Sequence, residues 1–401
     1  MKILMIGPGE PSRRNSGLGV ACDHIAHELS NKIHLRLFSP ETLEENAQHS
    51  SENKNTYKIH LGDKLGDHRE LNADIVHVQI KSALTPYFYL SNTEQEITQE
   101  QDNHIQQALD EYTKALTIQG EKVDFDLIYA HDWMSIPAAI QLKKRFNKPL
   151  VLHIHALDYD RTGKKSNSWL YKLEKEGLNA ANAIISVSHY HADIIIKNYG
   201  IDKNKIHVVH HGVNKKEIEK FVSPLKEPII LFAGRLCSQK GAMEFIETAK
   251  ILHNKNEDVR FVMAGEGELF PALINKCMEE GMMDKFHFTG HLKQPELFSL
   301  MSGASVFVMP SASDPFGLSA LEAANMGLPV VLSDKCGVKE LLPNAEVVSK
   351  SDPKVYAQRI IKLLQNPEET RNSIKGNHEA LKDKNWSNSV DKIIKIFENS
   401  I

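Results

Sequence analysis

Cysteine is scarce in this chain, and its four copies, Cys22, Cys237, Cys277 and Cys336, stand far apart. No two have the spacing of a paired metal site and together they give no disulfide framework, so neither a zinc-stapled nor a disulfide-stapled fold is expected, and a reducing cytoplasm fits. Long apolar runs are lacking as well. None approaches the ~20 residues of a membrane span, and the amino terminus offers a strand-length run where a secretory signal needs a longer one. Charge of one sign is not in excess: 48 Lys and Arg against 52 Asp and Glu leave a net charge of -4, which draws the chain neither to nucleic acid nor to anionic lipid. The basic run Lys143-Lys144-Arg145 with Lys148 reads as a solvated helix face, so any membrane contact is peripheral at most. Gly7-x-Gly9 lacks the third glycine of the dinucleotide fingerprint, which argues against hydride transfer. None of the 20 histidines stands in a His-Glu-x-x-His arrangement.

What is present is regular alternation. Apolar runs of strand length occur at Ile3 to Ile6, Asp74 to Val78, Leu127 to Ala130, Leu150 to Ile154, Ala183 to Val187 and Ile206 to Val209, with helical patterns between them. A second set begins at Ile229 and continues through Arg260 to Ala264, Lys285 to Thr289, Val306 to Met309 and Pro329 to Leu332. Such alternation predicts parallel α/β sheets, and 401 residues suffice for two domains with full cores. The polar segment Asn214 to Glu227 is the expected linker. Residues 1–215 are predicted to form one Rossmann-like domain, 216–384 a second, and 385–401 a closing segment in which Trp386 precedes an amphipathic helix over Val390 to Phe397.

The most informative stretch runs from Pro310 through Asp314-Pro315-Phe316-Gly317-Leu318 and Glu322 to Pro329. It reads as strand, loop, helix and strand, with Asp314-Pro315 as the helix-start signal. A helix N-terminus offers free N–H groups and partial positive charge to a phosphate, and Asp314 and Glu322 are placed to accept hydrogen bonds from hydroxyls. Phosphate together with polyol points to a sugar nucleotide. Upstream, the strand beginning at Ile229 ends in Gly234-Arg235-Leu236, followed by Lys240-Gly241 at the start of the next helix. Two cations at that spacing suit a diphosphate. His155 ends the strand Val151 to Ile154, where open α/β sheets bind ligands; His153 reads as packing. Two Asp-x-Asp triplets, Asp124-Phe125-Asp126 and Asp158-Tyr159-Asp160, resemble a divalent-metal signature, but neighbouring carboxylates on an extended run point to opposite faces. Both are read as structural.

The segment Asp314 to Glu322 resembles the donor signature of retaining glycosyltransferases of family 4, whose GT-B fold sets two Rossmann-like domains with parallel sheets facing across a cleft. The usual Glu-x7-Glu is Asp-x7-Glu here. The order of His131-Asp132-Trp133, the His155 strand, Ser186-Val187-Ser188, His211-Gly212-Val213, Gly265-Glu266-Gly267 and the donor segment extends the likeness over essentially the whole chain. The resemblance implies a hexosyltransferase acting without metal or cofactor, which moves a hexose, expected to be glucose, from a nucleoside diphosphate sugar to a saccharide or other hydroxyl acceptor. It assigns catalytic roles to His155, Asp314, Arg235 and Lys240, and donor binding to Gly17, Arg235, Lys240, Phe316, Gly317, Leu318 and Glu322. Gly17 belongs to Ser16-Gly17-Leu18-Gly19, which is similar to a glycine loop of glycan synthases and precedes a helix predicted from Ala21 to Leu29. Cys336-Gly337-Val338-Lys339-Glu340 matches a turn that supports the donor loop, with Glu340 opening a helix. In relatives the last helix crosses back to the first domain. Two other readings fit the same residues: a sugar-nucleotide epimerase of this fold, and a non-catalytic sugar-nucleotide-binding subunit.

Overall fold

The computed structural model describes residues 1–7, 17–41, 56–60, 75–81, 99–213, 226–255, 257–349 and 352–401. Ser16, Gly9 and nearly all of the expected linker, 214–225, lie outside them. The chain divides into two compact units: Met1–Val187, Ala192–His210 and Trp386–Ile401 form the first, and Ser188–His191 with His211–Asn385 the second.

In the first unit eight strands form one sheet: β1 (Lys2–Ile6), β2 (His34–Glu41), β3 (Thr56–His60), β4 (Ile75–Lys81), β5 (Leu127–His131), β6 (Leu150–Ile154), β7 (Ala183–Ser186) and β8 (Ile206–Val208). Their order is β3-β4-β2-β1-β5-β6-β7-β8 and every pairing is parallel. The central strands are covered on both faces, so they read as continuous apolar runs; β5 and β6 are buried at every residue. Order reverses between β1 and β5, which opens a crevice beyond their carboxyl ends. The last helix, Trp386–Glu398, begins at Trp386 itself, four residues before its predicted start. It packs on the helix Gly17–Ser30, with Trp386 stacked on His24 at 4.9 Å and Lys32 Nζ 2.5 Å from Asp391.

The second unit carries β9 (Ile229–Ala233), β10 (Arg260–Ala264), β11 (Phe286–Gly290), β12 (Val306–Met309), β13 (Val330–Ser333) and β14 (Glu346–Val348). They form a parallel sheet in the order β11-β10-β9-β12-β13-β14. Its core includes Ile230, Phe245, Phe261, Met263 and Tyr356, each at most 1% exposed. Phe261 stacks on Phe286 at 4.9 Å. Burying a side chain of this size contributes roughly 1.5–3 kcal/mol, which fixes the sheet as a rigid base for the loops above it. Here order reverses between β9 and β12. The loops carrying Arg235, Lys240 and Asp314 leave from those two strands.

Several elements differ from expectation. β2, β3 and β14 were absent from the predicted strands. Charged Arg36 interrupts the apolar run of β2, although the residue is only 5% exposed in the fold. The helix after the first glycine loop begins at Gly17 rather than Ala21.

Candidate functional site

In the second unit the loop after β9 and the loop after β12 are laced together. Gln239 does most of this: its carbonyl accepts from Ala312 N–H at 2.9 Å, its side-chain amide donates to Ser313 O at 3.1 Å, and its side-chain oxygen accepts from the Arg235 guanidinium at 3.1 Å. Gln239 had been assigned no role, and its place inside the Gly234 to Gly241 motif was the only sequence signal for it. Gly241 makes the approach sterically feasible. It has φ of +74°, and a Cβ there would lie 2.0 Å from Pro310 O.

This lacing places Lys240 Nζ 2.6 Å from Asp314 Oδ2. The two residues assigned separately to phosphate and to sugar hydroxyls are an ion pair, with the Asp314 side chain 5% and the Lys240 side chain 25% exposed. Burial pulls the Lys240 ammonium down, but the Asp314 carboxylate and its hydrogen bond outweigh burial, and the net shift is upward. Lys240 therefore keeps its proton around neutrality. The other carboxylate oxygen of Asp314 accepts from Phe316 N–H at 3.3 Å.

The helix beyond this loop starts later than Asp314-Pro315 suggests. It spans Leu318–Asn325, with Gly317 as N-cap at φ of +101°. Asp314 is thus a loop residue, in an isolated parallel bridge to Cys336, while Glu322 lies in the second helical turn, where it accepts from Gln294 Nε2 at 3.4 Å. The turn at Cys336 holds the loop through its backbone: Gly337 N–H donates to Asp314 O at 3.0 Å and Val338 N–H to Phe316 O at 2.6 Å. Glu340 ends a short 3-10 turn, Gly337–Glu340, instead of opening a helix, and its carboxylate accepts from the backbone N–H groups of His189 and Tyr190 at 2.9 and 2.8 Å. Ser188, another residue without a predicted role, donates to Pro315 O at 2.5 Å. Asp314, Phe316 and Gly317 thus lie on one loop that runs into the helix carrying Leu318 and Glu322, with Lys240 and Arg235 on the adjoining loop.

Gly17 and His155 belong to the first unit. Gly17 is the first residue of its helix. His155 follows β6 and is buried, its backbone N–H donating to Asp132 Oδ1 at 2.7 Å. Its Nε2 lies 3.0 Å from His131 Nδ1, and Cys22 Sγ is 3.4 Å from that same His131 nitrogen. His153, one turn of the pleat away, stacks on His155 at 4.2 Å and pairs through Nδ1 with the Tyr129 hydroxyl at 2.6 Å. Asp132 adopts φ of +53°, uncommon for a residue with a side chain. Burial, then the nearby carboxylates of Asp132 and Asp23, push the Cys22 thiol up.

The Asp-x-Asp triplets are engaged locally. Asp124 and Asp126 bind the side chain and backbone nitrogens of Lys2, each at 2.7 Å. Asp158 accepts from the hydroxyls of Ser166 and Ser168, and Asp160 from Leu157 N–H. Behind them Glu174, 1% exposed, accepts from Arg161, Tyr199 and the Asp158 backbone. Burial pushes its carboxyl up to about 8 against the pull of those donors.

Comparison with known proteins gives the family and the fold. The family "Glycosyl transferases group 1" matches residues 213–381 and "Glycosyltransferase Family 4" matches residues 102–217, so together they take in more than half of the chain. An uncharacterized glycosyltransferase of Methanocaldococcus jannaschii is 31% identical over 251 residues, 58% of this chain and 63% of its own length. The chain spans about three fifths of the length of the first curated relatives it matches. Among solved structures, sucrose-phosphate synthase from Thermosynechococcus elongatus superposes with a TM-score of 0.77 at 20% identity, covering 100% of this chain and 98% of that one. Anabaena HepE in complex with UDP-glucose gives 0.72 at 16% identity, with both chains covered in full. The chain belongs to the family 4 glycosyltransferases and has the GT-B fold. Among the described residues no helix is long and apolar enough to cross a membrane.

Proposed function

We propose that the protein transfers a hexose from a nucleoside diphosphate sugar to a hydroxyl acceptor, with retention of the anomeric configuration and without a metal ion. The observation that carries this reading is the Lys240–Asp314 pair at the reversal point of the second sheet. One loop there offers cations to a diphosphate, and the other offers a carboxylate to sugar hydroxyls. An ammonium has three donors, so Lys240 can keep Asp314 and still bind a phosphate oxygen. UDP-glucose bound to HepE, a protein of the same fold, favours a nucleotide sugar as the ligand.

In this reading the bond between the sugar's anomeric carbon and the β-phosphate oxygen breaks as the acceptor oxygen bonds to the same face of that carbon. The acceptor proton passes to the departing phosphate. Negative charge grows on that phosphate, and Arg235, Lys240 and the N-terminus of the helix Leu318–Asn325 stabilise it, the electrostatic contribution that usually dominates such catalysis. Asp314 orients sugar hydroxyls and Glu322 holds the ribose. His155 and Gly17 take the donor contacts that the family resemblance gives them. Release of nucleoside diphosphate from a panel of sugar nucleotides, with and without saccharide acceptors, tests the proposal. Acceptor-dependent release supports it; a donor that binds but is never consumed would contradict it.

A further inference from the structure

The family resemblance uses His155 and sets His131-Asp132-Trp133 on the acceptor side, but gives no account of Cys22 beside them. Cys22, His131 and His155 come from the helix Gly17–Ser30, the end of β5 and the residue after β6, and their Sγ, Nδ1 and Nε2 atoms all lie within 4.8 Å of one another. Each of the three is buried, the most open being His155 at 9% exposure. We propose that these three side chains form a zinc site. Metal–sulfur bonds of ~2.3 Å and metal–nitrogen bonds of ~2.0 Å at tetrahedral angles separate two nitrogens by about 3.3 Å, and sulfur from nitrogen by about 3.5 Å. The protein places the two nitrogens 3.0 Å apart and the sulfur 3.4 Å from the His131 nitrogen, with the three ligand atoms within 4.8 Å of one another before any ion enters.

A thiolate with two imidazoles is a donor set for zinc rather than for magnesium or calcium, which take oxygen ligands. Three protein ligands leave a fourth position for water. A small cavity lined by Gly7, Leu18, His131, Asp132 and Trp133 adjoins one of the three ligands, His131. The surroundings fix the ligands. Asp132 holds the His155 backbone at 2.7 Å and takes a left-handed conformation to do so, and His153 stacks on the His155 ring. Ion binding releases the Cys22 thiol proton and shifts the proton between His131 and His155 to the outer nitrogen of its own ring, so an empty site is a hydrogen-bonded cluster and a filled one a zinc centre. The ligands lie 109 and 24 residues apart in sequence, which is why no spacing motif shows them.

The effect on turnover rests on the role given to His155 above. A metal-bound Nε2 is lost to the donor sugar, so zinc acts as an inhibitor and not as a cofactor.

The test is titration of the chelator-stripped, full-length protein with Co2+ and then Zn2+. We expect one equivalent of Co2+ to bind with a thiolate-to-cobalt charge-transfer band that Zn2+ abolishes, and Zn2+ to protect Cys22 from alkylation. Cys22→Ser and His131→Asn should each lose the band and weaken binding by roughly 100-fold or more. Should either variant unfold, alkylation of the wild-type thiol with and without Zn2+ decides the matter alone. Binding without the band, affinity unchanged in Cys22→Ser, or no protection of the thiol would overturn the proposal, because 20 histidines offer other places for an ion. If Zn2+ binds with the cobalt signature and transfer proceeds at its full rate, the zinc site stands and the role of His155 falls.

Discussion

Replacing Lys240 separates the two duties its position implies. In Lys240→Met the Asp314 carboxylate, 5% exposed, keeps only the 3.3 Å bond from Phe316 N–H and loses its 2.6 Å partner. Breaking a fully buried pair costs about 3–5 kcal/mol, whereas an exposed pair is worth about 0–1 kcal/mol. With Lys240 one quarter exposed, the loss should fall between these, at about 2 kcal/mol. Asp314→Asn relieves the orphaned charge, so the double variant should regain most of that stability, and the cycle should give a coupling of about 2 kcal/mol. Catalysis should not follow. Removing a donor that meets transition-state charge costs about 3–4 kcal/mol, or a hundred- to a thousandfold in rate, and that deficit should persist in the stable double variant. Urea midpoints with sugar-nucleotide turnover for the four proteins provide the assay. Because the Lys240 pKa is raised, the stabilisation from the pair is complete below the ordinary lysine value and is lost only as pH rises through the higher folded value. The cycle is therefore best measured near neutrality. Coupling near zero, with rates within threefold of wild type, would remove the pair from the site.

Transfer should survive chelator treatment, since protein cations occupy the place of a metal; activity lost to chelator and restored by manganese would refute this. Gly241→Ala should destabilise the second unit by about 2 kcal/mol or more, because a Cβ would meet Pro310 O at 2.0 Å and φ is positive; an unchanged melting temperature would show that the two loops can part freely. Glu174 should make stability fall with pH, since a carboxyl raised from 4.5 to about 8 contributes fully below 4.5 and loses its contribution as pH rises through 8, by up to about 1.4 kcal/mol per pH unit. Glu174→Gln should flatten that slope, and identical slopes in both proteins would mean that Arg161, Tyr199 and the backbone keep the group ionised.

The parallel α/β architecture and the positions of the loops after β9 and β12 were legible because they rest on local patterns. Buried strands such as β5, β6 and β12 are continuous apolar runs, and Gly234, Gly241 and Gly317 mark the turns beyond them. What depends on partners distant in sequence was not legible. β2 was missed because the charged Arg36 breaks its apolar run, although the residue is buried in the fold. Asp314-Pro315 carries the composition of a helix start, but the bridge to Cys336 holds Asp314 in the loop, and the helix waits for Gly317 to take its positive φ. The Lys240–Asp314 pair spans 74 residues and joins two motifs that were read separately. The Cys22, His131 and His155 cluster draws on three elements and leaves no periodic trace.

Retaining transfer from a nucleoside diphosphate sugar is tested most directly by proton NMR of the product formed from an α-linked donor and a saccharide acceptor. An α-linked product should appear in step with nucleoside diphosphate. A β-linked product, or an altered sugar nucleotide with no acceptor consumed, would contradict it.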